Sequence, residues 1–160
     1  MVRVIMHGCN GRMGQVITEM IAKEAEMEIV AGVDVSDSVH NTYPVFKTLK
    51  DCDVEADVVI DFANAKAVDG LLDVCVERNL PCVLCTTGLS EEQLAHVKEA
   101  SGKVAILRSA NMSMGINVLS ELCKRASAIL GVNYDVEIVQ QHHHNKLDAP
   151  SGTAPVSYTH

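Results

Sequence analysis

The segment Asp57–Phe62, "DVVIDF", reads as a strand with no polar face. Successive side chains of an extended chain point to opposite sides, so such a run belongs in a sheet covered on both faces. Four more short, largely apolar runs read as strands: Val2–His7, Glu28–Val35, Pro81–Thr87 and Val104–Leu107. Between them the apolar spacing changes to that of a helix. Met13, Val16, Ile17, Met20 and Ile21 form one stripe within Met13–Ala25, and Val68, Leu71, Leu72, Cys75 and Val76 form another within Ala65–Arg78. Ser90 followed by Glu92 and Gln93 predicts a capped helix start. Gly115–Leu130 is a further helix, and Tyr134–Gln141 a final strand. Residues 36–56 are mixed and polar, with one proline, and are expected to include a long loop. Strand and helix alternating in this way predict an open parallel sheet flanked by helices.

With 160 residues there is room for one domain, or for one domain and part of another. Aromatic residues make up 3% of the chain, so an aliphatic core must carry the fold. The net charge of −8, with no lysine or arginine cluster, argues against a nucleic-acid partner. No apolar run approaches the roughly 20 residues of a membrane span, so no membrane partner is expected. The opening "MVRVIMHG" enters a strand without the layout of a signal peptide, and a cytoplasmic location is expected. Six cysteines are scattered through predicted strands, helices and loops. In the pair Cys82 and Cys85, positions three apart on a strand face opposite sides about 10 Å apart, too far for a bridge. Small buried apolar groups are the expected reading of these thiols.

"MHGCNGRMGQVI" sets Gly8, Gly11 and Gly14 between the first strand and the first helix. Glycines let backbone approach a pyrophosphate, and a helix N-terminus offers free N–H groups and partial positive charge. The competing reading is a tight strand-to-helix turn with no ligand. Context favours the first. The second strand leads to Asp34, at the roughly 20-residue distance where a carboxylate accepts ribose hydroxyls. Val35 and Ser36 follow Asp34, with no adjacent cation for a 2′-phosphate, which leans toward NADH over NADPH. Arg12 could reach an adenine face or a phosphate and keeps NADPH open. Two further loops, Thr86-Thr87-Gly88 and Ala110-Asn111-Met112-Ser113, follow predicted strands, at the sheet edge that binds ligands. They are candidates for orienting a nicotinamide ring, against ordinary turn chemistry.

"QQHHHNKLDAPSGTA", residues 140–154, concentrates titratable groups. As a metal site it is poorly equipped. Only His142 and His144 of an extended run face together, and no nearby group completes a tetrahedral set. A structural cluster or an incidental basic loop is a second reading. The third is an acid/base and anion-binding site, with histidines that titrate near neutrality and Lys146 close by. Ser151, Gly152 and Thr153 would add backbone N–H groups ahead of a helix.

"GCNGRMG", "CTTG", "SANMS" and above all "HHHNKLDAPSGTA" resemble the dihydrodipicolinate reductase family, from residue 2 to about residue 154. The resemblance implies an α/β fold: a Rossmann-type open parallel sheet with helices on both faces, then a second, substrate-binding domain. Residues 1–113 would form the dinucleotide-binding domain and 114–160 the start of the substrate-binding domain. The reaction implied is NAD(P)H-dependent reduction of 4-hydroxy-tetrahydrodipicolinate, in lysine and diaminopimelate synthesis, with a small dicarboxylate as substrate. By motif, His142 resembles the acid/base residue and Lys146 the proton donor, while His143, Gly152 and Thr153 look like substrate-carboxylate contacts. The cofactor set implied is Gly8, Asn10, Gly11, Arg12, Met13, Gly14, Asp34, Cys85, Thr86, Thr87, Ala110, Asn111, Met112 and Ser113, with no metal.

Departures from the family pattern carry their own expectations. A glycine often stands where this chain has Cys85, and an arginine often follows the ribose-binding acid where this chain has Val35. After "SGTA" the family continues into a helix and most of a sheet, whereas "PVSYTH" follows here, and Pro155 would disturb that helix. The expectation is a truncated or frame-shifted chain with an incomplete substrate domain, binding dinucleotide with or without turnover. The family is homotetrameric; this chain is expected not to be.

Overall fold

The computed structural model describes residues 1–139 and 141. Contacts divide the chain into two compact units, Met1–Ser109 and Ala110–His160.

The first unit alternates strands and helices: β1 (Val2–His7), α1 (Arg12–Ile21), β2 (Met27–Val33), β3 (Val45–Phe46), β4 (Val58–Asp61), α2 (Val68–Glu77), β5 (Cys82–Leu84), α3 (Glu91–Ser101) and β6 (Ile106–Arg108). The six strands form one sheet in the order β3-β2-β1-β4-β5-β6, and every adjacent pair is parallel. This is the doubly wound order, whose direction reverses between β1 and β4 and opens a crevice at the carboxyl ends of those strands.

Alternation along the strands divides the core into two layers. Ile5 and Val59 belong to the layer under α2, with Leu71, Leu72 and Cys75. Their neighbours Met6 and Ile60 belong to the other layer, with Cys9, Tyr43 and Ile17 of α1. Both faces are therefore apolar, as a parallel sheet between helices requires. Full burial of a side chain such as Leu72 contributes about 1.5–3 kcal/mol.

Local chemistry sets the helix ends. Ser90 Oγ accepts from Gln93 N–H at 3.2 Å while Gln93 Oε1 accepts from Ser90 N–H at 3.2 Å, so the expected capping box at α3 is formed. Gln93 also donates to Ala65 O at 2.6 Å and to Asp69 at 2.9 Å, tying α3 to the start of α2. Helix α1 ends at Ile21, short of the expected Ala25. Of its predicted stripe, Ile21 is buried and Ile17 half-buried, whereas Met13, Val16 and Met20 are exposed. The face that meets the sheet carries Gly14, Ile17 and Ile21 instead.

The stretch 36–56, expected to include a long loop, has no helix or strand over 36–44; it then forms β3, which pairs with Gly32 and Val33, and a 3-10 turn at Leu49–Asp51. A two-residue strand is too short to show a period; its hydrogen bonds, Gly32 N–H to Pro44 O and Asp34 N–H to Phe46 O, create it. The strand expected over 134–141 is not formed by residues 134–139. A strand exists only beside a hydrogen-bonding neighbour, and none faces these residues among those described.

In the second unit, Ser113 Oγ accepts from Ile116 N–H at 3.4 Å and caps α4 (Met114–Leu130), which ends at Gly131 with φ +69°. A 3-10 turn, Gly131–Asn133, follows.

Candidate functional site

The chain turns sharply at the carboxyl end of β1. Gly8 sits at φ +80°, and a Cβ there would lie 2.8 Å from Phe62 O and 2.9 Å from Ala63. Only glycine combines that backbone angle with that approach. Gly14 packs the first turn of α1 onto this loop so closely that a Cβ would stand 2.2 Å from Gly8 O. Gly11 is the N-cap of α1 and supplies no side-chain cap, and no acidic residue occupies the first turn. The helix therefore presents uncapped N–H groups and partial positive charge beside a backbone cradle that any Cβ would fill, as an anionic pyrophosphate requires.

Asp34 stands one residue beyond β2 and is half-buried. One carboxylate oxygen accepts from Asn10 N–H at 2.9 Å and the other from Ser36 N–H at 2.8 Å. Each oxygen keeps a further lone pair, so the group can still accept two hydroxyls. Asn10 braces the same corner: its amide donates to Ser36 O at 2.5 Å and accepts from Asn41 at 2.7 Å. A cleft of about 950 Å³ joins these parts. It runs from Gly8 and Gly11 past Asp34 to Lys47 on one side, and along Phe62, Ala63 and Gly70 on the other. That volume is within the range of small-molecule and cofactor sites.

Beneath the turn lies a polar network that the sequence did not announce. Asp61, at the end of β4, is 0% exposed, and His7, at the end of β1, is 7% exposed. His7 Nδ1 lies 2.7 Å from Asp61 Oδ1, and Thr86 Oγ1 donates to Asp61 Oδ2 at 2.6 Å. Ala63 N–H adds a bond of 3.2 Å. "DVVIDF" is thus not wholly apolar: a buried carboxylate is retained because three donors surround it. The available signal was a charged residue inside an apolar strand, which must have partners.

The other expected cofactor residues fall as follows. Arg12 and Met13 are exposed at the start of α1. Cys85 is buried; burial first, and then the charge of Asp61, push its thiol up to about 11. Thr86 is engaged by Asp61, whereas Thr87 is exposed next to Gly88 at φ +74°. In the second unit, Asn111 Oδ1 accepts from Ser113 N–H at 2.8 Å, while Ala110 is half-buried and Met112 exposed. His142, His143, Lys146, Gly152 and Thr153 lie outside the described residues. Among the described residues no group of histidine, cysteine and acidic side chains could hold a metal ion, and no helix is long and apolar enough to cross a membrane.

A cation that sequence reasoning missed also stands at this edge. No lysine or arginine comes directly after Asp34, but Lys47, one residue past β3, is brought to this corner, where its Nζ donates to Val35 O at 3.1 Å.

Comparison with known proteins agrees with this architecture. Residues 2–112 match the family described as "Dihydrodipicolinate reductase, N-terminus", and residues 115–157 match "Dihydrodipicolinate reductase, C-terminus". The 4-hydroxy-tetrahydrodipicolinate reductase of Clostridium novyi (strain NT) is 47% identical over 154 residues, covering 96% of this chain and 61% of that protein. The enzyme of the same name from Caldanaerobacter subterraneus subsp. tengcongensis is 50% identical over the same shares. The chain therefore spans about 61% of the length of these relatives. Among solved structures, dipicolinate-bound dihydrodipicolinate reductase from Paenisporosarcina sp. TG-14 matches with a TM-score of 0.79 and 30% identity, over 99% of this chain and 64% of that one. A scyllo-inositol dehydrogenase from Lactobacillus casei, solved with NAD(H) and scyllo-inositol, matches with a TM-score of 0.60 at 14% identity, over 78% of this chain and 41% of that one; it shares the fold alone. The doubly wound sheet, the glycine turn that opens it and these two family matches lead to one conclusion: the chain belongs to the dihydrodipicolinate reductase family.

Proposed function

We propose that this chain binds NAD(P)H at the β1–α1 turn and takes part in the reduction of 4-hydroxy-tetrahydrodipicolinate, a small dicarboxylate, in lysine and diaminopimelate synthesis. The observation that carries the reading is the glycine turn, packed by Gly14, whose Gly8 and Gly11 line the same cleft as Asp34. The pyrophosphate lies against the Gly8–Gly14 backbone and the N-terminus of α1, with Asn10, Arg12 and Met13 flanking it. Asp34 accepts the adenosine ribose hydroxyls, and a carboxylate there gives NADH at least the affinity of NADPH. Thr87 with the Cys85–Thr86 backbone, and Ala110–Ser113, are assigned to the nicotinamide end. When bound, the reduced nicotinamide supplies the hydride.

The remaining chemistry is assigned to the histidine segment, on the strength of its motif. His142 acts as acid/base and Lys146 supplies the proton; His143, Gly152 and Thr153 hold the two substrate carboxylates. This division needs a cofactor-binding part, 1–113, and a substrate-binding part beginning at 114. A biosynthetic reductase of this kind works in the cytoplasm.

Calorimetric titration with NADH and NADPH, followed by substrate-dependent loss of reduced-nicotinamide absorbance, tests the proposal. His142→Gln is expected to lower turnover by roughly 10²–10⁴-fold and to leave dinucleotide affinity unchanged. Dinucleotide binding without substrate-dependent oxidation would reduce the protein to a binding module; absence of binding would remove the assignment altogether.

A further inference from the structure

The loop that follows Asp34 is held from both sides. Asn10 grips it from the glycine turn through Ser36 O, and Lys47, one residue past β3, grips it through Val35 O. Lys47 Nζ also donates to Asp37 Oδ1 at 2.5 Å. This ion pair lies in solvent, with side chains 53% and 81% exposed, so separating it costs little. Lys47 and Asp34 line the same cleft, and Val35 between them is 83% exposed and covers neither. An ammonium group thus lines the same cleft as the carboxylate assigned to the ribose and is hydrogen-bonded to the carbonyl of the next residue in the chain. It comes from the residue after a strand that the chain reaches only after a loop, and an acidic side chain occupies it.

We infer that Lys47 is the residue that admits an adenosine 2′-phosphate, and that Asp37 holds its ammonium when no phosphate is present. The inference rests on the dinucleotide reading above and deepens it. A 2′-phosphate beside Asp34 meets like charge, which by itself disfavours NADPH. Lys47 offsets that repulsion by exchanging the monoanionic Asp37 for a phosphate of higher charge, and the released Asp37 returns to water. The site then serves both cofactors: Asp34 takes the free ribose hydroxyls of NADH, and Lys47 takes the phosphate of NADPH.

The test is calorimetric titration of the full 160-residue chain with NADH and with NADPH, at low and high salt. Variants Lys47→Met, Lys47→Arg and Asp37→Asn are compared with the parent. Lys47→Met is expected to weaken NADPH roughly tenfold, the net scale of one hydrogen bond to a charged group, and to leave NADH unchanged. Lys47→Arg keeps NADPH affinity. Asp37→Asn tightens NADPH, and its effect shrinks as salt screens the phosphate. An equal loss of both cofactors in Lys47→Met would show that Lys47 merely braces the loop, and unaltered affinity for both would show that it does nothing; either overturns the inference. Failure of the parent chain to bind either dinucleotide is a separate outcome that removes the cofactor reading and this inference with it. Asp37→Asn gives an independent reading if Lys47→Met does not fold.

Discussion

His7 Nδ1 and Asp61 Oδ1 lie 2.7 Å apart across the carboxyl ends of β1 and β4, the two strands between which the sheet reverses its order. The two residues are directly paired in the ladder, so strand register alone brings them together. Their contact, extended to Thr86, ties three strand ends beneath the glycine turn and holds the floor of the cleft.

Removal of Asp61 should therefore be costly. Asp61→Ala strands the His7 imidazole, the Thr86 hydroxyl and Ala63 N–H in a buried site, and a loss of about 3–5 kcal/mol is expected, the scale for breaking a buried pair. His7→Ala leaves Asp61 two of its three partners and should cost about 1–3 kcal/mol. Urea denaturation of both variants checks the order; a loss below that of His7→Ala in Asp61→Ala would contradict the network.

Two helical glycines, Gly14 and Gly70, should respond in opposite directions. Gly14→Ala forces a methyl group into the Gly8 and Cys9 backbone, and is expected to cost about 1–3 kcal/mol and to weaken dinucleotide binding. Gly70 in α2 has open space around its Cβ position, so Gly70→Ala should stabilise by about 0.5–1 kcal/mol through lower backbone entropy in the unfolded chain. Denaturation midpoints for the two variants provide the comparison.

The amino end of the sheet supplies a pH dependence. Hydrogen bonds from the Arg3 side chain, and then from its backbone N–H at 2.8 Å, hold Asp57 down to about 2 from an ordinary 3.8. A carboxyl depressed in the folded state stabilises above its unfolded pKa and loses that contribution as pH falls toward the folded one. The stability difference between the parent and Asp57→Asn should vanish near pH 2 and grow through the interval up to about 4, then level off. Midpoints of urea unfolding across that interval would show it, and the difference should diminish with salt because the pair is exposed. A pH-independent difference would sink the assignment.

Thiol reactivity should single out one cysteine. Cys123 is exposed, whereas Cys9, Cys52, Cys75, Cys82 and Cys85 are buried. Burial, aided by the charge of Asp34, pushes the Cys9 thiol up to about 11, and Cys85 reaches a similar value. The thiolate is the reactive form, so brief alkylation at neutral pH should modify Cys123 alone, and denaturant should release the rest. Peptide mass spectrometry reads the sites directly; early labelling of Cys85 would contradict its burial.

Apart from β3, the order of strands and helices in the first unit was legible in residues 2–108 because both signals are local. Apolar runs such as Val58–Asp61 and stripes such as Val68, Leu71, Leu72 and Cys75 repeat within a single element. The glycine turn was legible for the same reason: a backbone that must pass within van der Waals reach of another excludes side chains at fixed positions. Element ends were less so, since α1 stops at Ile21 although the apolar pattern does not mark that end, and apolar residues such as Met20 lie in solvent.

The remainder depended on tertiary structure. Strand β3 has no period of its own and exists through hydrogen bonds to β2. Residues 134–139 show the converse, a strand-like pattern that does not become a strand without a neighbour. His7 and Asp61 each looked like the end of an apolar strand until parallel register placed them side by side. Lys47 lies well beyond Asp34 in the chain, and only the crossover that sets β3 beside β2 brings its charge to the same corner. Periodicity and turn chemistry act over a few residues and can be read along the chain. Pairing between strands and between charges acts through space, and is decided only when the sheet closes.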